Sequence, residues 1–152
     1  MTNLSDSYYQ QRLPSEYRHM PWKNGLGVTL EIWVENDELG QRFRISQAAV
    51  VTDGLFSDFS GLQRTLVLLN GNGIILSHEH HSHPRTINHL TAPLDIAHFS
   101  GGDITYATLS NGPIDDLNIM TRQQDTVSAV AAHRAPTAVE FNHQEHVLLT
   151  CF

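Results

Sequence analysis

The sequence predicts an all-β domain, a sandwich or barrel built from many short strands. Three observations point there. The apolar residues fall into short runs, several alternating with period two, as a strand with one buried face requires. Clusters of Gly, Asn, Asp and Pro interrupt these runs at regular intervals. No segment sustains the 3.6-residue period of an amphipathic helix.

Taken in order, Leu13 to Arg18 fits only a short helical turn. Val28 to Val34 alternates, with Leu30, Ile32 and Val34 on one side and Thr29, Glu31 and Trp33 on the other. Arg42 to Val50 does the same, setting Phe43, Ile45, Gln47 and Ala49 against Arg42, Arg44, Ser46, Ala48 and Val50. Leu62 to Leu69 is more continuously apolar and suits a strand buried on both sides. Asn70-Gly71-Asn72-Gly73 tolerates positive φ, and Ile74-Ile75-Leu76 follows it, so the pair reads as a hairpin. Leu94 to Phe99, Ile104 to Leu109 and Leu117 to Thr121 are further strands, separated by the turns Ser100-Gly101-Gly102-Asp103 and Asn111-Gly112-Pro113. Thr126 to His133 fits a second helical turn, capped by Asp125-Thr126. Thr137 to Phe141 and His146 to Phe152 close the chain as strands. With no repeat, linker or low-complexity segment, residues 1–152 are expected to form a single domain.

Composition narrows the function classes. The 152 residues are 40% hydrophobic and 16% charged, a folded-domain balance. A net charge of −7 with no Lys/Arg run disfavours nucleic acid and anionic membranes as partners. The single cysteine, Cys151, cannot form an internal disulfide and ends an apolar run, where it reads as a small core residue rather than a nucleophile. Met1 to Gln11 lacks the basic and apolar stretches of a secretory signal, and no apolar run approaches the ~20 residues of a membrane helix. A cytoplasmic location is the resulting expectation. Lys23 is the only lysine, set in Pro21-Trp22-Lys23-Asn24-Gly25; spacing alone leaves it open between a functional ammonium and an ordinary surface lysine.

The densest group of potential metal ligands is His78-Glu79-His80-His81-Ser82-His83. His78 and His80, and separately His81 and His83, are two apart, so on a strand each pair would share a face and reach one metal. Glu79, His89 and His98 are further candidate ligands, and zinc, nickel or iron would accept the set. Against this, the histidines are contiguous and end at Pro84-Arg85, which suits an exposed, pH-sensitive loop. We therefore expect no metal and no other cofactor.

Common catalytic patterns are absent. Ser57 stands in no nucleophile-elbow motif. Gly71 and Gly73 follow a strand but open no helix, so they form a turn rather than a nucleotide loop. Asp115-Asp116 is a carboxylate pair whose members would point to opposite faces of a strand, one of them being expected in a turn. No catalytic residue is assigned.

Three segments carry a more specific signal. The first is Met20-Pro21-Trp22-Lys23-Asn24-Gly25-Leu26-Gly27-Val28-Thr29-Leu30-Glu31. The second starts at Arg44-Ile45-Ser46, includes Asp53-Gly54-Leu55-Phe56-Ser57-Asp58-Phe59-Ser60-Gly61 and Arg64-Thr65-Leu66, and ends at Leu69-Asn70-Gly71-Asn72-Gly73. The third is Phe99-Ser100-Gly101-Gly102-Asp103 with Gly112-Pro113-Ile114-Asp115-Asp116-Leu117-Asn118-Ile119-Met120-Thr121-Arg122. In order and spacing, from about residue 12 to 123, these resemble the HutD/Ves family of bacterial proteins. The resemblance implies an RmlC-like cupin, a jelly-roll or bicupin-like barrel. It also implies a link to histidine utilisation, through a protein that binds a carboxylate intermediate such as urocanate or N-formylglutamate and restrains the pathway without catalysis. Leu26 stands where the family often has glycine, and Leu55 and Ser60 where it has proline, so those loops are expected to differ in shape. Family members usually continue through further strands beyond Val147-Leu148-Leu149, so the end of the second sheet is expected to be missing. The alternative within cupins is a metalloenzyme using His78 to His83; metal-binding cupins place a glutamate a few residues after the histidine pair, and here no acidic residue follows until Asp95.

The residue chemistry supports an anion site independently. Arg44 and Ser46 share one face of a strand, Arg64 begins the next, and Asn118, Met120 and Arg122 share a face by period two. Guanidinium groups grip carboxylates through paired hydrogen bonds. Lys23 would add a point charge, Asn24 and Asn118 neutral donors, and Trp22, Phe56 and Phe59 an apolar wall, with Ser57 completing the set. The competing reading pairs Arg44, Arg64 and Arg122 with Glu31, Asp53 and Asp103 as internal ion pairs. A protein without ligand, acting through partners or as a homodimer packed by its sheet faces, is the remaining alternative.

Overall fold

The computed structural model describes residues 10–22, 25 and 27–140. Among the described residues a single 3₁₀ turn, Pro14–Glu16, precedes ten strands. In chain order these are β1 (Arg18–Pro21), β2 (Val28–Asp37), β3 (Gly40–Val50), β4 (Gly54–Leu55), β5 (Leu62–Asn70), β6 (Ile74–His80), β7 (His83–Leu90), β8 (Ile96–Ser100), β9 (Ile104–Leu109) and β10 (Ile114–Arg122). They form a six-stranded sheet in the order β1-β2-β3-β10-β5-β8 and a four-stranded sheet in the order β4-β9-β6-β7. Every pairing is antiparallel, and the non-sequential order is that of a jelly roll. Among the described residues no helix is long and apolar enough to cross a membrane.

The larger sheet is covered on both faces. Its inner face, with the smaller sheet, encloses Val50, Leu66, Leu68, Ile74, Leu76, Leu90, Ala97, Phe99, Ala107 and Ile114. Leu66, Leu68, Ile74 and Leu76 are wholly buried, and each such side chain contributes about 1.5–3 kcal/mol relative to exposure. On the outer face Ile45, Val67 and Leu117 form a second cluster with Phe43, Ile119, Val130 and Ala132. Double coverage explains the apolar run Leu66 to Leu69 in the second half of β5.

Several expectations need correction. Residues 126–134 make no helical turn: they run across the outer face, where Val130 and Ala132 pack and Ser128 bonds Thr121. Burial of those two side chains outweighs the weak local propensity for a turn. A β-bulge between Glu31 and Trp33 breaks the alternation of β2, so Glu31 stays opposite Ser46 while Trp33 moves opposite Ile45 on the outer face. Residues 137–140 form no strand; Phe141 and His146 to Phe152 lie outside the described residues. Asp115 and Asp116 both belong to β10 rather than to a turn.

The histidine segment is a hairpin rather than a loop, and Glu79, His81, Ser82 and His83 are exposed as expected. His78 and His80 lie on β6 and His83 on β7, leaving only His81 and Ser82 at the turn. His78 is 2% exposed. β7 itself is absent from the sequence reading, because its outward residues are exposed and Pro84 interrupts it. Pro84 is tolerated because β7 is an edge strand, where a missing N–H breaks no essential ladder.

Candidate functional site

Cross-strand register on the inner face of the large sheet sets the site. Met120 of β10 stands opposite Arg44 of β3 on one side and Arg64 of β5 on the other, and Arg64 stands opposite Phe99 of β8. One step along, Asn118 lies between Ser46 and Leu66. A further step brings Asp116 between Ala48 and Leu68. Rows two residues apart on each strand thus carry Arg-Met-Arg, Ser-Asn-Leu and Ala-Asp-Leu inward.

Arg64 is the centre of this patch. It is 5% exposed, and one terminal nitrogen donates to Asn118 Oδ1 at 2.7 Å. Its guanidinium carbon lies 5.1, 5.3 and 5.0 Å from the ring centroids of Phe56, Phe59 and Phe99. Those aromatic faces attract the cation electrostatically. Among the described residues it has no carboxylate within ion-pair distance, and its buried Nε has no hydrogen-bond partner. Burial brings its pKa down to about 10, Asp116 opposing and Arg44 reinforcing the shift.

Asn118 joins Arg64 to Asp116. Its Oδ1 accepts from Arg64 and its Nδ2 donates to Asp116 Oδ1 at 2.5 Å. Asp116 is 1% exposed, and its Oδ2 has no partner among the described residues. Burial pushes its carboxyl up to about 7, against the pull of Arg64 and the Asn118 hydrogen bond; neighbouring Asp115 adds to the rise.

The other predicted cations are already matched. Arg44 Nε donates to Glu31 Oε2 at 2.9 Å and a terminal nitrogen reaches Met20 Sδ at 3.5 Å. Arg122 turns to the end of the sheet, gripping Asp37 and Asp125. The two carboxylates hold it firmly protonated. Internal pairing is therefore correct for Arg44 with Glu31, and for Arg122 with Asp37 and Asp125 in place of Asp103. Asp53, the third expected partner, instead accepts the Leu109 N–H. Of the expected set, Arg44, Ser46, Phe56, Phe59, Arg64, Asn118 and Met120 are brought together. Trp22 packs against the inner core and donates to Thr29. Ser57 is exposed. Lys23 and Asn24 lie outside the described residues.

Opposite this patch, His78 of β6 lies against Phe99 with ring centroids 4.4 Å apart. Its ring nitrogens meet Thr105 Oγ1 and Asn88 Oδ1, both at 2.9 Å. A neutral ring satisfies both: Nε2–H donates to the amide oxygen, and Nδ1 accepts from the hydroxyl. Burial lowers the His78 pKa, the Asn88 hydrogen bond and Asp103 opposing, Arg64 adding. Among the described residues no group of three or more His, Cys, Asp or Glu is placed to hold a metal.

Two cavities flank the patch. An open groove of about 770 Å³ at the Arg122 end is lined by Gln41, Phe59, Leu62 and Gln123. A second of about 360 Å³ is lined by His78, His80, His83 and Asp103. Arg64 lines neither. Phe59 stands between, lining the groove while its ring contacts the Arg44 and Arg64 guanidiniums. Gln41 Nε2, buried at the groove, has no partner among the described residues. Asp116 and Gln41 are site residues that the sequence reading missed. For Asp116 a signal existed: it lies two residues before Asn118, on the same period-two face.

Comparison with known proteins fits this geometry. The HutD family model matches residues 14–152. A relative from Pseudomonas putida, described as an uncharacterized 21.2 kDa protein in the hutC 3' region, is 36% identical over 72% of this chain and 56% of its own length. Protein Ves from Escherichia fergusonii is 35% identical over 70% of this chain and 56% of its own. The structure of HutD from Pseudomonas fluorescens superposes with a TM-score of 0.63 at 32% identity, covering 74% of this chain and 59% of that one. A cupin-2 domain from Rhodospirillum rubrum, at 13% identity and a TM-score of 0.51, shares the fold alone. The chain thus spans a little over half the length of the relatives it matches. A jelly roll with these inward rows, matched by the family model over most of its length, belongs to the HutD/Ves family of cupin-fold proteins.

Proposed function

We propose that the protein binds a small carboxylate metabolite inside the barrel, anchored on Arg64, and acts as a non-enzymatic regulator of histidine utilisation. The observation that carries this reading is the Arg64 guanidinium: buried, cradled by three phenylalanine rings, without a carboxylate partner among the described residues and with Nε unmatched. A buried cation in that state costs several kcal/mol, which a carboxylate offering two oxygens would offset. Phe56, Phe59 and Phe99 supply the apolar wall for a planar ligand. Entry runs from the groove past Phe59, with the unmatched Gln41 Nε2 as a polar contact on the way.

The pathway assignment rests on kinship: the Pseudomonas putida relative is named for its place beside hutC, and the Pseudomonas fluorescens relative is HutD. Urocanate and N-formylglutamate are the ligands to test, since both present a carboxylate to a guanidinium. Isothermal calorimetry with each is expected to show saturable binding, lost in Arg64→Ala. Absence of heat with both would overturn the reading.

A further inference from the structure

Resting on that reading of the interior site, we propose that an anion binding at Arg64 brings a proton with it, taken up by Asp116. The inner patch holds two buried cations, Arg44 and Arg64, one buried carboxylate, Asp116, and one part-buried carboxylate, Glu31. With Asp116 ionised these balance. Seating a carboxylate on Arg64 leaves one uncompensated negative charge in a water-poor interior, where such a charge is expensive. One proton restores the balance.

Geometry says where that proton goes. Glu31 is engaged by Arg44 through Nε, and Arg18 also approaches it. Asp116 has no such cation in contact: Arg64 reaches it only through Asn118. The Asn118 amide cannot reverse without turning its NH₂ onto the Arg64 N–H, so its donation to Asp116 Oδ1 is fixed. Asp116 Oδ2, buried and without a partner among the described residues, is the atom left to carry a proton. An incoming anion competes for Arg64, the one group whose positive charge holds Asp116 ionised.

The other titratable groups around the patch do not take this role. Asp115, next along β10, is half-buried and adds negative charge beside Asp116, which favours its protonation. From β3 comes Arg44, already matched to Glu31 of β2. From β6 comes His78, whose nitrogens are both occupied by Thr105 and Asn88, with the charge of Asp103 acting on it. The carboxyl of Asp116 already sits near neutrality before ligand arrives, so a modest further rise suffices to protonate it at pH 7.

Formate is a suitable probe, because it stays ionised throughout the range and brings no second titrating group. Its dissociation constant is measured by NMR titration from about pH 5.5 to 9. Affinity is expected to be constant at the acidic end and to weaken about tenfold per pH unit above pH 7, the slope for one linked proton. Asp116→Asn needs no proton, so it is expected to lose this slope and to bind formate more tightly than wild type, at least tenfold, at the alkaline end. Infrared difference spectra provide a readout on the wild-type chain: adding formate at about pH 8 is expected to produce the C=O stretch of a protonated carboxyl. That band shifts when aspartate is labelled with ¹³C. Formate binding with a flat pH profile and no such band overturns the proposal while leaving the anion site standing. A chain that binds neither formate nor the larger carboxylates at any pH overturns the anion site itself.

Discussion

Replacing Asp116 by Asn isolates the energetic cost of one buried carboxyl. Its ordinary pKa is 3.8 and burial raises it to about 7 in the folded protein. A raised carboxyl pKa means that the folded state binds the proton more tightly than the unfolded chain does. Stability from this group is therefore greatest below pH 3.8, falls as pH rises toward 7, and is constant above. At 1.36 kcal/mol per pK unit, the interval amounts to about 4 kcal/mol of destabilisation at pH 8 relative to pH 3. Asn keeps the shape, still accepts the Asn118 N–H, and never ionises. Urea unfolding of wild type and Asp116→Asn, without ligand, should thus give nearly parallel stabilities near pH 4. The variant should gain steadily to an advantage of several kcal/mol by pH 8. Taking the difference removes the titration of Asp37, Asp58, Asp95 and Asp125, whose lowered pKa values place their effects at the acid end. A difference that stays flat from pH 4 to 8 would refute the account of Asp116 as a desolvated carboxyl.

Other consequences are accessible to simpler measurements. In Arg122→Gln, Asp37 loses the guanidinium that holds its carboxyl at about 2; the stabilisation that this gives wild type above pH 3.8, and that fades as pH falls from 3.8 through about 2, should be absent from the variant, so the acid-unfolding midpoint followed by circular dichroism should rise. His78, with its pKa lowered by burial, should keep a neutral ring with the proton on Nε2 as pH falls through 6.5. Nitrogen-detected NMR of the ring would show this, and a titration midpoint at or above 6.5 would contradict it. Leu66→Ala opens a void in the centre of the inner core and should cost about 2–5 kcal/mol in urea unfolding. Gly101→Ala would drive a methyl into the Phe59 carbonyl oxygen. That forces apart the loop whose Phe59 N–H bonds Gly101 O, so carboxylate affinity by calorimetry should fall although Arg64 is untouched.

Most of the strand framework is legible because burial on one or both faces imposes a period that polar residues would violate. β3 and β9 fall within two residues of their predicted limits, and the Asn70-Gly71-Asn72-Gly73 turn takes the positive φ it was expected to take, at Gly71 and Gly73. What escapes the sequence are features that only partners decide. β7 is held by pairing to β6 at a sheet edge, with most side chains facing water, so it carries no apolar pattern of its own. The segment at residues 126–134 has weak helical character, and only the presence of Ile45, Val67 and Leu117 beneath it makes an extended path favourable.

The site divides along the same line. Arg44, Ser46, Asn118 and Met120 are readable as inward residues because period two is local, but which guanidinium stays free depends on long-range geometry. Arg122 shares the inner-face parity of Asn118, yet it lies at the last position of β10. There its side chain reaches past the sheet end to Asp37 on β2 and Asp125 just beyond β10. Arg64 has no such exit: β10 and β8 flank it and three phenylalanines close over it. The β10–β5 pairing is irregular between Asp115 and Asp116. The extra residue is Leu69 on β5, so β10 keeps its alternation and Ile114, Asp116, Asn118 and Met120 all face the core. Parity alone turns the Asp116 carboxyl inward, and Asn118 is its hydrogen-bond donor. Two buried groups of opposite charge that meet only through a shared amide, each with one unmatched atom, form an arrangement with little value for stability. Its chemistry makes sense if the proposed anion supplies what the two unmatched atoms lack.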